Sequence, residues 1–356
     1  MRRVAMILAG GSGTRLWPLS RRGRPKQLLQ IFAGKSLLRA AFERLRPMFE
    51  PGDLFVVALH EHQPAIAAEL PELPAENLVG EPQGRDSANA IALGAAVVGA
   101  RGEPAVLGVF TADHVIGPDE RFRETVRRGY EWVDREPEAL VTFGIRPRSA
   151  HTGFGYVERG EALAPGVFEV RCFREKPDAA TAGQYVSGGR HYWNSGMFVW
   201  RADVILDLIG RELPETRAAV SAFAADRSAE AERRLAGAYP RLKRISIDYA
   251  VMERAANVRV VEMDVDWRDV GNWASLAEAV EGDDSGNAVA AARALLQDCR
   301  NSVVVAENDH LIAAIGCDDL VIIHSADATL VCRKGDAQRI RDLVAAIESR
   351  FGGNYS

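Results

Sequence analysis

The chain has 356 residues, 47% of them apolar and 26% charged, with a net charge of −5. At roughly 150 residues per domain this suggests about two domains, and the composition excludes a disordered, collagen-like or coiled-coil chain. The acidic balance argues against non-specific nucleic-acid binding, though a pocket on an acidic protein can still be basic.

The N-terminal apolar run covers residues 4–9 and meets glycines at once. A secretory core usually needs about 7–15 apolar residues, so a cleaved leader is not expected. The longest later apolar stretch, 90–100, is far short of the roughly 20 residues that span a bilayer. Cys172, Cys299, Cys317 and Cys332 form no C-x-x-C pair. Reduced thiols in a cytoplasmic protein without a membrane anchor are the expectation.

Short continuous apolar runs at 4–8, 54–58, 106–110 and 140–144 read as strands buried on both faces. Helical patterns at 37–46, 88–100 and 122–133 alternate with them. The alternation predicts an α/β domain with a parallel sheet, whose ligands bind at the carboxyl ends of strands. Further strands are expected at 168–173, 197–200 and 258–265, with a helix at 202–209.

Gly282-Asp283-Asp284-Ser285-Gly286-Asn287 reads as a turn or linker. Domains are therefore expected at 1–282 and 283–356. Strand-like runs then begin near Ser302, Leu311, Leu320 and Thr329, nine residues apart. That period suggests a small β-helix-like domain. Ile340, Leu343, Val344 and Ile347 mark a closing amphipathic helix.

The first strand runs into Ala9-Gly10-Gly11-Ser12-Gly13-Thr14-Arg15-Leu16. Glycines allow φ > 0, and the resulting ring of N–H groups suits anionic oxygens. Arg15 adds a bidentate fork; eleven residues later, after Pro25, Lys26 adds a compact charge. A dinucleotide fingerprint would need a third glycine where Leu16 stands, so that reading is weak. Gly34-Lys35-Ser36 lacks the first glycine of a P-loop and reads as a surface turn. A plain tight turn at residues 10–13 is the bland alternative.

The segment from Gly10 through Trp17-Pro18-Leu19-Ser20 to Pro25-Lys26 resembles the signature of sugar-nucleotide pyrophosphorylases. Six further blocks follow in family order. They are Glu81-Pro82-Gln83-Gly84-Arg85-Asp86-Ser87-Ala88, Thr111-Ala112-Asp113-His114, Thr152-Gly153-Phe154-Gly155-Tyr156, Glu175-Lys176-Pro177, Trp193-Asn194-Ser195-Gly196-Met197-Phe198 and Trp267-Arg268-Asp269-Val270-Gly271-Asn272-Trp273. Together they resemble the mannose-1-phosphate guanylyltransferase family.

The resemblance implies that GTP and α-D-mannose 1-phosphate give GDP-mannose and pyrophosphate, with Mg²⁺. It also implies a Rossmann-like nucleotidyltransferase domain with a mostly parallel mixed sheet, a small β-helix-like C-terminal domain ending in a helix, and a homodimer as the expected assembly. Longer relatives carry an isomerase domain; with the sequence stopping at Ser356, no phosphomannose isomerase activity is expected.

Arg15, Lys26, Asp113 and Asp269 are the expected catalytic residues. Asp113 and Asp269 are expected to share the metal, although the local pattern at Asp113 fits a turn cap equally well. His114 reads as structural, because Mg²⁺ prefers oxygen. Leu8, Ala9, Gly10, Gly11, Ser12, Gly13, Thr14, Arg15, Lys26, Glu81, Arg85, Asp86, Ser87 and Asp113 are expected around the nucleotide. Among them, Glu81 and Asp86 are candidate acceptors for the guanine N–H groups. Gly153, Gly155, Tyr156, Glu175, Lys176, Asn194 and Asp269 are expected around the sugar phosphate. Tyr156 fits a core role as well as a contact. Trp193, Trp200, Trp267 and Trp273 read mainly as packing.

Overall fold

The computed structural model describes residues 1–11, 13–30, 34–280 and 282–355. Ser12, expected in the phosphate loop, lies outside the described residues. The chain divides into two units. The first holds 1–10, 42–111 and 116–266; the second holds 11–41, 112–115 and 267–356.

The first unit is built on nine strands: β1 Arg2–Leu8, β2 Leu54–Leu59, β3 Leu78–Glu81, β4 Ala105–Thr111, β5 Leu140–Ile145, β6 Tyr156–Ala164, β7 Val167–Arg174, β8 His191–Arg201 and β9 Val258–Glu262. Their order is β3-β2-β1-β4-β8-β5-β9-β7-β6. The first four run parallel, with Leu8 opposite Val57 and Thr111. From β8 onward the pairing is mixed, because β8 runs antiparallel to both β4 and β5. Continuous burial of Val4–Ile7 and of β5 explains their unbroken apolar runs.

Helix Ser87–Gly99 follows β3 and buries nearly its whole length, including Ile91, Leu93 and Val97. Helices Pro214–Asp226 and Ala229–Ala238 were not anticipated. They are alanine-rich, so their apolar stripe is weak in the sequence. The carboxyl ends of β1, β3 and β4 bring Gly10, Glu81 and Thr111 to one edge, as parallel sheets require for ligands.

The second unit adds β10 Ala288–Ala290, β11 Arg293–Gln297, β12 Val303–Ala306, β13 Leu311–Ile315, β14 Leu320–His324 and β15 Thr329–Arg333. Parallel ladders β10-β12-β14 and β11-β13 form the β-helix-like coils, and antiparallel β15 closes them. Arg293 pairs with Leu311 and Val303 with Val321, so one coil spans two of the nine-residue periods. The segment 282–287 is an ordered turn rather than a loose linker. Asp283 accepts from the N–H groups of Ser285 and Asn287, and buried Asn287 bonds onward to Cys299 and Ser302.

The closing helix is Ile340–Phe351. Ile340 and Val344 are buried, but Leu343 is exposed, so the apolar stripe is narrower than the sequence suggests. The core of this unit joins Leu16, Trp17 and Leu29 to Trp273, Val303, Ile323 and Ile340. Trp273 donates to the Trp17 carbonyl at 2.9 Å. Among the described residues no helix is long and apolar enough to cross a membrane.

Candidate active site

In the second unit, Gly11 has φ +102° and Gly13 φ +58°, conformations that side chains disfavour. At Gly13 a Cβ would also fall well inside contact distance of the Ser20 Oγ and the Lys26 Cβ. Glycine is therefore required twice over, and the Lys26 stem lies directly against the loop. Arg15 sits exposed on the 3₁₀ turn Thr14–Leu16 that follows.

Lys26 opens the short turn Lys26–Leu28 behind Pro25 and ion-pairs with Asp113. Donor atoms of Asp113, His114 and Asp269 lie within 4.8 Å of one another. The structure thus gathers Lys26, Asp113 and Asp269 from three distant segments. Asp269 ends a short strand of its own, Asp266–Asp269. The Val270 N–H donates to the Asp113 carbonyl at 3.1 Å, fixing the two aspartates side by side.

Burial works against charge on both partners. At Asp113 burial raises the pKa, but the charge and hydrogen bond of Lys26 work against it and the carboxyl ends below its ordinary range. At Lys26 burial lowers the pKa, but Asp113 and Asp269 outweigh it and the ammonium ends above its ordinary range. His114 is buried, and its Nδ1 accepts from the Trp267 indole at 3.2 Å. A neutral ring accepting there carries its proton on Nε2, which faces Asp113 at 3.9 Å. Two carboxylates are a suitable hard-oxygen set for Mg²⁺, and His114 reads as support for Asp113.

In the first unit, Leu8 ends β1, and the N–H of the following Ala9 donates to the Val57 carbonyl at 2.8 Å. Glu81 is only 3% exposed, and its Oε1 accepts from the Tyr239 hydroxyl at 2.8 Å. Burial pushes its carboxyl up to about 7. The Oε2 lies on the Gly10 side, 3.8 Å from where a Cβ of Gly10 would be.

Asp86 is exposed and caps helix Ser87–Gly99, accepting from the Ser87 N–H at 3.0 Å. One of its oxygens is therefore spent on the helix, as the local cap pattern favours. The Ser87 hydroxyl accepts from the Ile247 N–H at 2.9 Å, a structural tie that the expected nucleotide role did not foresee. Arg85 is half-buried, and its Nε has no hydrogen-bond partner among the described residues.

The expected sugar-side residues also meet in this unit. The Asn194 N–H donates to the Gly155 carbonyl at 2.8 Å. A Cβ on Gly155 would collide with the Glu175 Oε2, so glycine is what lets that carboxylate approach. Lys176, at φ +47°, pairs with Glu175 at 2.5 Å. Gly153 is exposed, and its N–H donates to His151.

Tyr156 requires a correction. It is 0% exposed and its hydroxyl donates to the His151 carbonyl, so it takes the core role and offers no surface to a sugar. Trp193, Trp200, Trp267 and Trp273 are buried.

Sequence reasoning missed Asp248. It accepts from the Asn194 Nδ2 at 2.9 Å, and burial, with Glu175 adding to it, pushes its carboxyl up to about 7. No spacing rule points to it. Its only sequence signal is an acid inside an otherwise apolar run.

Residues 4–286 match the nucleotidyl transferase family model. Residues 293–347 match the MannoseP isomerase/GMP-like beta-helix domain. The chain belongs to the nucleotidyl transferase family. It is 37% identical over 99% of its length to a mannose-1-phosphate guanylyltransferase of Escherichia coli, spanning 75% of that protein. A Klebsiella pneumoniae protein of the same name is 36% identical over the same shares. Likeness over the full chain places it in the branch of the family that carries this name. Among solved structures, a Thermus thermophilus protein described as a mannose-1-phosphate geranyltransferase superposes with a TM-score of 0.87. It is 35% identical, and the match covers 98% of this chain and 100% of that one.

Proposed function

We propose that this protein makes GDP-mannose and pyrophosphate from GTP and α-D-mannose 1-phosphate. The observation that carries the reading is the gathering of Lys26, Asp113 and Asp269 beside the glycine loop that ends in Arg15. A sugar phosphate is already an anionic nucleophile at neutral pH, so no general base is needed. One phosphate oxygen attacks the α-phosphorus of GTP while the bond to the β-phosphate oxygen breaks, and pyrophosphate departs with that electron pair. No net proton transfer is required.

Catalysis then rests on placing two anions together and on stabilising charge as it shifts. Lys26 and Arg15 supply fixed positive charge, and the N–H groups of the loop at Gly11 and Gly13 supply donors. Asp113 and Asp269 would hold Mg²⁺. Bound there, the ion would neutralise phosphate charge. Glu81 is the candidate reader of guanine, through the oxygen not engaged by Tyr239. Glu175, Lys176 and Asn194 are the candidate contacts to the sugar phosphate, with Gly153 and Gly155 giving it room.

The four free cysteines support a cytoplasmic location, and the net charge of −5 supports no nucleic-acid partner. Exposed Leu295, Leu311, Ile315 and Val331 support a homodimer. Division into 1–282 and 283–356 is supported by family matches that end at 286 and resume at 293.

The test is pyrophosphate release with Mg²⁺, each nucleoside triphosphate and each common hexose 1-phosphate. GTP with mannose 1-phosphate should dominate. Preference for another pair would move the substrate assignment, and no release with any pair would favour a non-catalytic sensor.

A further inference from the structure

We propose that Asp248 is a positioning residue of the sugar pocket, fixing the Asn194 amide and so deciding which hydroxyls the pocket accepts. This rests on the sugar-phosphate role of Glu175 and Asn194 given above.

A side-chain amide has two N–H donors and an oxygen with two acceptor sites. At Asn194 the oxygen accepts from the Thr142 hydroxyl at 3.0 Å and the Gly196 N–H at 3.3 Å. One N–H donates to Asp248 at 2.9 Å. A single N–H is left for a ligand. Thr142 does not enforce this orientation, because its hydroxyl also lies 3.2 Å from the Met197 carbonyl and can turn to it. The Gly196 contact is long. As a carboxylate, Asp248 offers the amide only acceptors, so it selects the N–H end of Asn194.

The backbone around Asp248 is built for this. Residues Asp248–Met252 form a π-helical turn, and the Glu253 N–H donates to the Asp248 carbonyl at 2.9 Å. Such wide turns are uncommon and cluster at functional sites. Here the turn reaches both sugar-side residues. Asp248 holds Asn194, and the Glu253 carboxylate accepts from the Glu175 N–H at 3.0 Å.

The approach to the turn is pinned by the start of helix Ser87–Gly99. Ile247 N–H donates to the Ser87 hydroxyl, Ala88 N–H to the Ile245 carbonyl at 3.3 Å, and the Asn89 amide to the Lys243 carbonyl at 2.9 Å. Two elements distant in sequence thus converge on the placing of one carboxylate.

The test is steady-state kinetics on the whole protein with GTP and mannose 1-phosphate. Asp248→Ala should raise KM for the sugar phosphate about tenfold or more, with KM for GTP within about twofold of wild type. Asn194→Ala should do the same, and the double variant should add little, because both remove one interaction. Asp248→Asn keeps an oxygen acceptor and should recover most of the loss. The Asp248→Ala protein should also discriminate less between mannose and glucose 1-phosphates. If Asp248→Ala does not fold, Asp248→Leu, close in shape and without polar atoms, carries the same cycle. Unchanged sugar KM in an active protein, or fully additive effects, would overturn the proposal while leaving the function intact. A wild-type protein inactive with every pair would overturn both.

Discussion

The Lys26 ammonium is ion-paired with the Asp113 carboxylate, and Asp269 lies close enough to raise the Lys26 pKa further. Residues far apart in sequence therefore share one half-buried electrostatic unit in which each sign sustains the other. The ammonium is the counter-charge of the aspartates, and a divalent cation reaching them must compete with it.

Two effects of Lys26→Gln follow. Without nucleotide, the variant should bind Mn²⁺ about tenfold more tightly than wild type, since a neighbouring positive charge is gone. Its turnover should still fall on the order of 10²-fold or more, because an oriented contact to shifting phosphate charge is lost. Calorimetric Mn²⁺ titration and pyrophosphate release measure the two. Equal or weaker metal binding would show that Lys26 does not compete at the aspartates.

Asp269→Asn should lose Mg²⁺-dependent turnover and keep its fold, because Asp269 lies in the carboxylate cluster and Trp273 and Val270 carry the packing nearby. Circular dichroism and a Mg²⁺ titration of activity check this. Full activity would remove Asp269 from the metal site.

Gly13→Ala places a Cβ at φ +58° against Ser20 and Lys26. A non-glycine residue in this region costs on the order of 1–3 kcal/mol, before the clash is counted. The variant should melt lower and lose activity through a displaced Lys26. Thermal melts with activity assays decide it, and a wild-type melting point would contradict the reading.

The pH dependence of stability follows from Glu81 and Asp248, whose carboxyls are both raised to about 7 by burial. An unfolded carboxyl titrates near 4, so the folded protein binds more protons between about 4 and 7. The stability these groups confer is complete below the unfolded range and is lost as pH rises through about 7. Melting temperature should therefore decline from about pH 5 to about pH 8, and Glu81→Gln should flatten part of that slope. An unchanged slope in the variant would contradict it.

The central strands were legible because burial on both faces leaves unbroken apolar runs, as in Val4–Ile7 and Leu140–Ile145. The β-helix coils were legible from a nine-residue spacing, though β10 and β11 were not, since β11 is largely exposed. Lys26, Asp113 and Asp269 could be named because they sit in short, distinctive motifs. Asp248 could not, because its meaning comes from Asn194, far away in sequence. Nor could the burial of Glu81 be foreseen, since it depends on Tyr239 arriving from helices whose alanine-rich pattern was weak. Tyr156 and Ser87 show the converse: residues inside a functional motif whose side chains hold the scaffold.

The most direct measurement is anomalous diffraction from crystals soaked with Mn²⁺ and a non-hydrolysable GTP analogue. A peak coordinated by Asp113 and Asp269 is expected, with Lys26 and Arg15 turned to the phosphates. A peak elsewhere, or phosphates bound away from those four side chains, would contradict it.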